Sequence, residues 1–488
     1  MPARNSITIA TAGHVDHGKT SLVRQITGIN TDTLAEEKSR GLSINLGFAY
    51  HHITQDKDGN PVDYTIGFVD VPGHTDFINN ALAGISVVDS ALLIIAADDG
   101  IMPQTREHLA ILDLLGIDSG AVVLTKIDRS SEERIDQVKR DIAELLSGSC
   151  LQDVPLFPVS SVSGVGIPAL VDYLQQSLFN STVTEVADHR KFRFVIDRCF
   201  TLKGIGTVVT GTVKSGTVIT GQNLILSRAG SIIRVKGLRH DQQSIESASA
   251  GERVAININL PHQQVSRGDW LMDPELHHGV TRFDARLRLL KPMVFKSSAE
   301  YHLYHGAAHH LVKLRPLPEE NPSFYQITSS DPVFALHGDC FLLRDPASTR
   351  TIGGGEVIDI FVPRRGRASP ERIEVLQALD QEDFKALQSL LESQDSGVNL
   401  ENFALARNCN PDRITSFLDQ LTTQKVPFVI LNLNDKSHQL LLHSKYYQSF
   451  ADLILKYLAE YHRANSSKLG VSEPALSKSI SFKNSHLL

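Results

Sequence analysis

The sequence predicts a multidomain protein. An α/β domain with a parallel sheet and helices on both faces comes first, followed by two β-barrels and a mainly helical, winged-helix C-terminal region. Three patterns carry this. Apolar runs at residues 7–10, 88–97, 121–124 and 156–162 alternate with helical stretches, which is the signature of a sheet covered on both sides. Residues 192–260 and 282–360 are short alternating segments split by glycines, as small barrels require. Residues 400–407, 411–423, 426–431 and 439–442 read helix, turn, helix, hairpin.

Composition sets the outer bounds. At 488 residues the chain holds roughly three or four domains. With 41% hydrophobic and 21% charged residues it has the balance of a soluble globular protein. No apolar run is long enough to span a bilayer, so no membrane partner is expected. The first strand follows residues 1–5 at once, and no signal peptide is visible. Cys150, Cys199, Cys340 and Cys409 lie far apart without metal-ligand spacing, which suits a reducing, cytoplasmic setting. A net charge of −7 excludes a chain coated in basic patches but leaves one local RNA surface open.

Within the first domain, Gly13-His14-Val15-Asp16-His17-Gly18-Lys19-Thr20 follows a strand and opens a helix that Gly28 closes. This is the phosphate-binding loop pattern. Backbone N–H groups would surround phosphate oxygens, Lys19 would reach the β- and γ-phosphates, and the Thr20 hydroxyl would ligate Mg²⁺. Ser43 offers a second hydroxyl for Mg²⁺ on a loop that orders around a γ-phosphate; taken alone, its surroundings read better as a solvated charge run ending in a turn. The strand ending at Asp70 presents a carboxylate suited to Mg²⁺. Gly73 beyond it offers an N–H to the γ-phosphate, and His74 sits where a residue orients attacking water. Thr125-Lys126-Ile127-Asp128 ends a buried strand. The Asp128 carboxylate would accept guanine N1–H and N2–H, and the Lys126 stem would cover the base. Ser160, Ser161 and Val162 end the last strand. All five signals fall at carboxyl ends of strands, where ligands of such sheets bind.

The segments GHVDHGKT, RGLSI, DVPGH, TKID and SSV together resemble the five guanine-nucleotide signatures of translational GTPases. The resemblance implies a P-loop GTPase domain using GTP and Mg²⁺, with Asp128 reading guanine, Thr20 and Ser43 holding the metal, and His74 assisting hydrolysis. Ser43 stands where most of these factors have threonine, and Thr125 where most have asparagine. Residues 192–211, 250–255 and 305–309 sharpen the resemblance to the selenocysteine-specific elongation factors, which follow the GTPase domain with two barrels. That family implies selenocysteinyl-tRNA and the ribosome as partners, at UGA codons. By the same resemblance Arg198 and Arg253 fall in the pocket for the amino acid on tRNA, where elongation factor Tu has an acid and an amide. Cationic groups there favour an ionised selenol over neutral serine. Pairing of each arginine with Asp197 or Glu252 is the alternative. His302, His305, His309 and His310 offer no coherent metal-ligand set, and strand packing explains them better.

Residues 363–370 form a basic linker, residues 371–393 read as helical, and Asn410 and Pro411 stand at an N-cap and first helical turn. Asp412, Arg413 and Asp419 do not make a basic recognition face, which favours a structural arm. Phe450, Leu453, Ile454, Tyr457, Leu458 and Tyr461 mark an amphipathic helix, and residues 471–480 look like the start of a second winged-helix unit. The expected domains are residues 1–182, 190–275, 276–364, 371–447 and 448–488. The family's messenger-binding units have no counterpart here. A shortened, monomeric form is therefore expected, with no residue assigned to a messenger hairpin. A general translational GTPase for another aminoacyl- or initiator tRNA, and a paralogue that binds without delivering, are the rival readings.

Overall fold

The computed structural model describes residues 6–32, 46–57, 60–73, 88, 90–181, 190–241, 243–296, 298–318, 322–432, 439–466, 468–473 and 475–476. In the first domain β1 (Ser6–Gly13), wholly buried, leads through the phosphate-binding loop to α1 (Lys19–Thr27). Then come β2 (Gly47–Lys57), β3 (Asn60–Asp70), β4 (Ser90–Ala96), α2 (Pro103–Leu115), β5 (Gly120–Thr125), α3 (Glu132–Leu146), β6 (Leu156–Pro158) and α4 (Ile167–Ser181). The sheet order is β2-β3-β1-β4-β5-β6. Leu22, Val23 and Ile26 of α1 share a core with Leu170 and Leu174 of α4 on one face. Leu109 and Leu112 of α2 and Val138 and Ile142 of α3 fill the other. Gly13 is required at its place: a Cβ would lie 2.2 Å from the Ile94 carbonyl oxygen on the neighbouring strand.

The sheet is not purely parallel. β2 runs antiparallel to β3 from Gly47↔Asp70 to Lys57↔Asn60, an edge strand absent from the sequence reading. Its outer half carries the exposed His52, Thr54 and Gln55, so no apolar run announces it.

The first barrel comprises β7 (Arg193–Leu202), β8 (Gly206–Ser215), β10 (Asn223–Leu226), β11 (Ser231–His240), β12 (Gln243–Ile245), β14 (Arg253–Ile258) and β15 (Trp270–Met272), while β9 (Thr217–Ile219) and β13 (Ser247–Ser249) pair as a two-stranded sheet of their own. Pairing of β10 with both β15 and β11 closes it. The second barrel comprises β16 (Val280–Leu289), β17 (Tyr301–His305), β18 (Ala308–Leu317), β19 (Phe324–Val333), β20 (Cys340–Arg344) and β21 (Thr351–Asp359), closed in the order β16-β19-β18-β17-β20-β21.

The C-terminal region is mostly helical: α5 (Pro370–Leu379), α6 (Asp383–Ser393), β22 (Val398–Asn399), α7 (Leu400–Ala406), α8 (Pro411–Thr423), β23 (Phe428–Asn432), β24 (Gln439–His443) and α9 (Ser444–Ala464). Asn410 caps α8 by accepting the Arg413 N–H, with Pro411 in the first turn. The stretch read as helical over 371–393 holds two helices, α5 and α6. Arg407 donates to the carbonyls of Leu379 and Gln381 at the break and pairs with Asp383 at 2.7 Å. That satisfies carbonyls the interrupted helix leaves open.

Buried charge joins these units. Arg193 of β7 meets Asp339, just before β20, at 2.6 Å, and His305 reaches the same carboxylate at 2.9 Å. Burial alone would raise the Asp339 pKa; Arg193 and the His305 hydrogen bond hold it well below the usual carboxylate range. The Arg193 guanidinium also lies 4.5 Å over the Trp270 ring. Arg372 of α5 pairs with Asp284 at 2.5 Å and Asp359 at 2.7 Å, tying the helical region to the second barrel. Asn408 exchanges hydrogen bonds with the backbone N–H and carbonyl of Lys191, tying it to the first.

Asp339→Asn should leave Arg193 buried beside a neutral amide, at a cost of about 3 kcal/mol or more. The expected outcome is amide exchange in β7 and β20 faster by about a hundredfold. Unchanged protection in both strands would mean the junction does not rest on this pair.

Candidate functional site

The loop between β1 and α1 is bent by Gly13, Asp16 and Gly18, all at positive φ. The Lys19 ammonium donates to the carbonyls of Gly13 at 3.1 Å and His14 at 2.6 Å, so it braces the loop from inside. Burial lowers its pKa to about 8, against the pull of Asp70 and Asp16. Gly73 lies against this loop; a Cβ there would meet Lys19 Nζ at 2.4 Å and the Val15 nitrogen at 2.8 Å. Asp70 is buried and accepts hydrogen bonds from the hydroxyls of Thr11 at 2.9 Å, Thr20 at 2.7 Å and Thr31 at 2.6 Å. Ser43 and His74, the second proposed metal ligand and the proposed catalytic residue, lie outside the described residues.

Thr125 does its work on the loop. Its hydroxyl donates to the His17 carbonyl at 2.6 Å, crosslinking β5 to the phosphate-binding loop. His17 is buried, its Nδ1 lies 3.2 Å from the Ile94 carbonyl, and burial lowers its pKa to about 4. Lys126 has positive φ, and its ammonium lies 3.4 Å from Asp98 and 3.6 Å from Asp99. Asp128 is exposed, and a hydrogen bond from Ser160 is the main cause lowering its pKa. Ser160 is buried, while Ser161 and Val162 form the rim beside it. The carboxyl ends of β1, β3, β5 and β6 thus bring the Lys19 loop, Asp70 with its threonine donors, and Asp128 with Ser160 to one end of the sheet.

Sequence reasoning missed two residues of α2. Gln104 Oε1 accepts the Val15 N–H at 3.2 Å, and His108 Nδ1 accepts the Gly13 N–H at 2.9 Å. The available signal was two polar residues at i, i+4 on a helix whose buried face is otherwise mainly apolar.

A second concavity lies where the first domain meets the first barrel. It is a cavity of about 590 Å³, lined by Phe48, Tyr50, Phe200, Thr210, Arg253 and Asn257 among others. Arg253 is buried and contacts Asp197 at 2.7 Å, with its guanidinium 3.6 Å from the centre of the Phe48 ring. It is therefore not an unpaired buried cation; the Asp197 pairing foreseen as the alternative is present. Glu252 instead accepts the Ser249 N–H at 2.5 Å. Arg198 is exposed, lies 4.9 Å from the centre of the same ring, and donates to the Leu46 carbonyl. His302 and His309 stack and hydrogen-bond to each other at 2.7 Å. Among the described residues no group of three or more His, Cys, Asp or Glu could hold a metal ion, and no helix is long and apolar enough to cross a membrane.

Comparison with known proteins assigns the first domain and both barrels. The elongation factor Tu GTP binding domain matches residues 4–180, elongation factor Tu domain 2 matches residues 206–272, and the β-barrel domain of selenocysteine-specific elongation factors matches residues 280–364. The selenocysteine-specific elongation factor of Escherichia coli is 40% identical over 87% of this chain and 67% of its own length. That of Desulfomicrobium baculatum is 34% identical over 96% of this chain and 74% of its own. A crystal structure of a bacterial selenocysteine-specific elongation factor superposes with a TM-score of 0.81 at 28% identity, covering all of this chain and 77% of that one.

One pH effect follows from the loop. Burial lowers the His108 pKa from 6.5 to about 3, so the folded protein keeps this ring neutral where the unfolded chain protonates it. Its contribution to stability is present above pH 6.5 and is lost as pH falls. Relative to His108→Asn, the wild type should lose up to about 1.4 kcal/mol per pH unit between about pH 6 and pH 4.5. Denaturant titrations of both proteins measure this, and a constant difference would contradict a buried neutral ring.

Proposed function

The chain belongs to the selenocysteine-specific elongation factors, and from that premise we propose how its own residues do the family's work. It is a GTPase that delivers selenocysteinyl-tRNA to the ribosome in a GTP-dependent step. UGA as the codon served, a cytoplasmic location and a monomeric state complete the reading. The working units are residues 1–182, 190–275, 276–364, 371–447 and 448–488.

The observation that carries the assignment of roles is the loop braced by Lys19 beside the triply bonded Asp70. Backbone N–H groups from Gly13, His14, Val15, Asp16, His17 and Gly18 form the cradle, and those left uncommitted face the phosphates, as does Lys19. Gly73 brings a further N–H within reach of the γ-phosphate. Thr20, Ser43 and Asp70 form an all-oxygen ligand set, which suits Mg²⁺. When bound, Mg²⁺ would supply positive charge to offset the negative charge that develops on the phosphates. His74 orients the water that attacks the γ-phosphorus, breaking its bond to the bridging oxygen and releasing GDP and phosphate. Asp128 reads the guanine edge, Lys126 covers the base, Ser160, Ser161 and Val162 wall it, and Thr125 holds the loop to β5. At the barrel cavity Arg253 in its lining and Arg198 beside Phe48 favour a selenolate. Asp197 neutralises part of that charge, and Phe48 spaces the two guanidinium groups.

Asp128→Asn should turn preference from guanine towards xanthine nucleotides, whose 2-oxo group accepts from an amide. Competition binding reads it directly, and equal displacement of bound GTP by ATP in the wild type would overturn the role given to Asp128. The tRNA pocket has its own test. The wild type should protect selenocysteinyl-tRNA better than the same tRNA carrying serine, by about ten- to a hundredfold for each engaged arginine. Arg198→Ala should erase much of that preference and leave seryl-tRNA binding nearly unchanged. So should Arg253→Ala paired with Asp197→Ala, which avoids stranding a carboxylate. Equal loss for both tRNAs would mean the arginines do not read selenium.

A further inference from the structure

We propose, resting on the reading of this end of the sheet as the guanine nucleotide site, that Asp98 and Asp99 are positioning residues that hold the Lys126 stem ready to cover the base, and that Arg134 anchors the turn carrying them.

β4 and β5 run parallel in a register that sets Ala96 beside Thr125. The residues just past the two strands therefore meet: Asp98 and Asp99 beyond β4, Lys126 beyond β5. The Ala97 N–H donates to the Thr125 carbonyl at 2.9 Å, which extends the pairing to the point where both chains turn away. Lys126 turns with φ 56°, a left-handed conformation that residues with a Cβ rarely adopt. Its ammonium lies 3.4 Å from Asp98 Oδ2 and 3.6 Å from Asp99 Oδ2. Asp98 Oδ1 accepts the Asp99 N–H at 3.0 Å, leaving the other oxygen of that carboxylate for Lys126.

Two neighbouring groups leave these contacts alone. Thr125 has one hydroxyl proton, and it goes to the His17 carbonyl, so this side chain has no donor left for a base. His17 Nε2 lies 3.9 Å from Asp99, but burial keeps the ring neutral. The Ile94 carbonyl beside Nδ1 can only accept, which puts the ring's one proton on Nδ1. Nε2 then has no proton to give, and the Asp99 carboxylate is left to Lys126.

The turn itself is fixed from α3. Ser131 caps that helix by accepting the Arg134 N–H at 3.3 Å. The Arg134 guanidinium donates through Nε to the Ala97 carbonyl at 3.2 Å and through Nη2 to the Asp98 carbonyl at 3.3 Å. Gly100 passes close by at φ 78°, and a Cβ there would lie 3.0 Å from Nη2. A lysine stem is flexible, and stacking it on a base costs rotamer freedom. Two carboxylates on a fixed turn remove part of that freedom in advance, so less is lost when a base arrives. Lys126, Asp98 and Asp99 are 22%, 32% and 45% exposed, which keeps each contact modest. Asp128 reads the guanine edge; the two acids act on how long any purine stays.

The test measures release of fluorescent GDP, and of inosine diphosphate carrying the same label, from the full chain by stopped flow. Asp98→Asn and Asp99→Asn keep the shape of each side chain. Each should speed release of both nucleotides by about two- to fivefold, and the double variant by about three- to tenfold. Added KCl should speed release from the wild type more than from the double variant, because salt screens exposed pairs. In a Lys126→Met background, which keeps the stem and drops the ammonium, the two acids should have no further effect. Arg134→Ala should act in the same direction as the double variant, by a smaller factor. Unchanged release in the double variant, or the same acceleration with and without the Lys126 ammonium, would overturn the positioning role. So would acceleration of GDP alone, which would place the acids behind Asp128 instead. Unchanged release in Arg134→Ala would overturn the anchoring of the turn. A wild type that binds no guanine nucleotide would instead refute the reading of the site.

Discussion

The Asp70 carboxylate is the fixed point around which the nucleotide edge is arranged. It is buried, and three threonine hydroxyls donate to it from β1, from α1 and from the segment just before residue 33. Hydroxyls are weak donors singly, but three of them stabilise a charge that burial would otherwise penalise. Both carboxylate oxygens are engaged, so the end of β3 cannot rotate without breaking a bond to the phosphate-binding loop. Gly73 follows three residues later and is thereby pressed against Lys19.

Much of this was legible before any coordinates. Glycines and a lysine at fixed spacing between strand and helix speak for one backbone shape, and buried parallel strands betray themselves as apolar runs. What escaped did so for physical reasons. β2 is a half-exposed edge strand whose polarity hides it from any hydrophobic pattern. The pairing of Arg253 with Asp197 joins residues 56 apart on different strands, and only the barrel's closure decides between it and Glu252. Gln104 and His108 touch the loop 89 and 95 residues away, a distance over which local spacing carries no information. The departures at Thr125 resolve once its partner is seen: a hydroxyl suffices because the bond it makes is to the His17 carbonyl.

Arginine is used in three different ways at the domain junctions. Arg193 and Arg372 are buried against carboxylates of the second barrel and tie neighbouring units to it. Arg407 fills a helix break with donors. Arg198 and Arg253 both approach the Phe48 ring where the GTPase domain meets the first barrel, and Arg253 is also paired with Asp197. The first two kinds define shape; the last sets two guanidinium groups against one aromatic ring.

The Asn408 contact has a consequence for how the chain comes into being. Lys191 opens the first barrel, yet its backbone N–H finds its acceptor 217 residues further on. At ribosomal speeds of about 5–20 residues per second, that partner emerges on the order of 10–40 seconds later. During that interval the barrels can close on their own strands while the notch for the helical region stays wetted and bare. Final locking is a docking event between preformed units, slow because it closes a long loop and sensitive to anything that occupies the notch first. For a protein that serves translation, the last step of its own maturation is timed by translation.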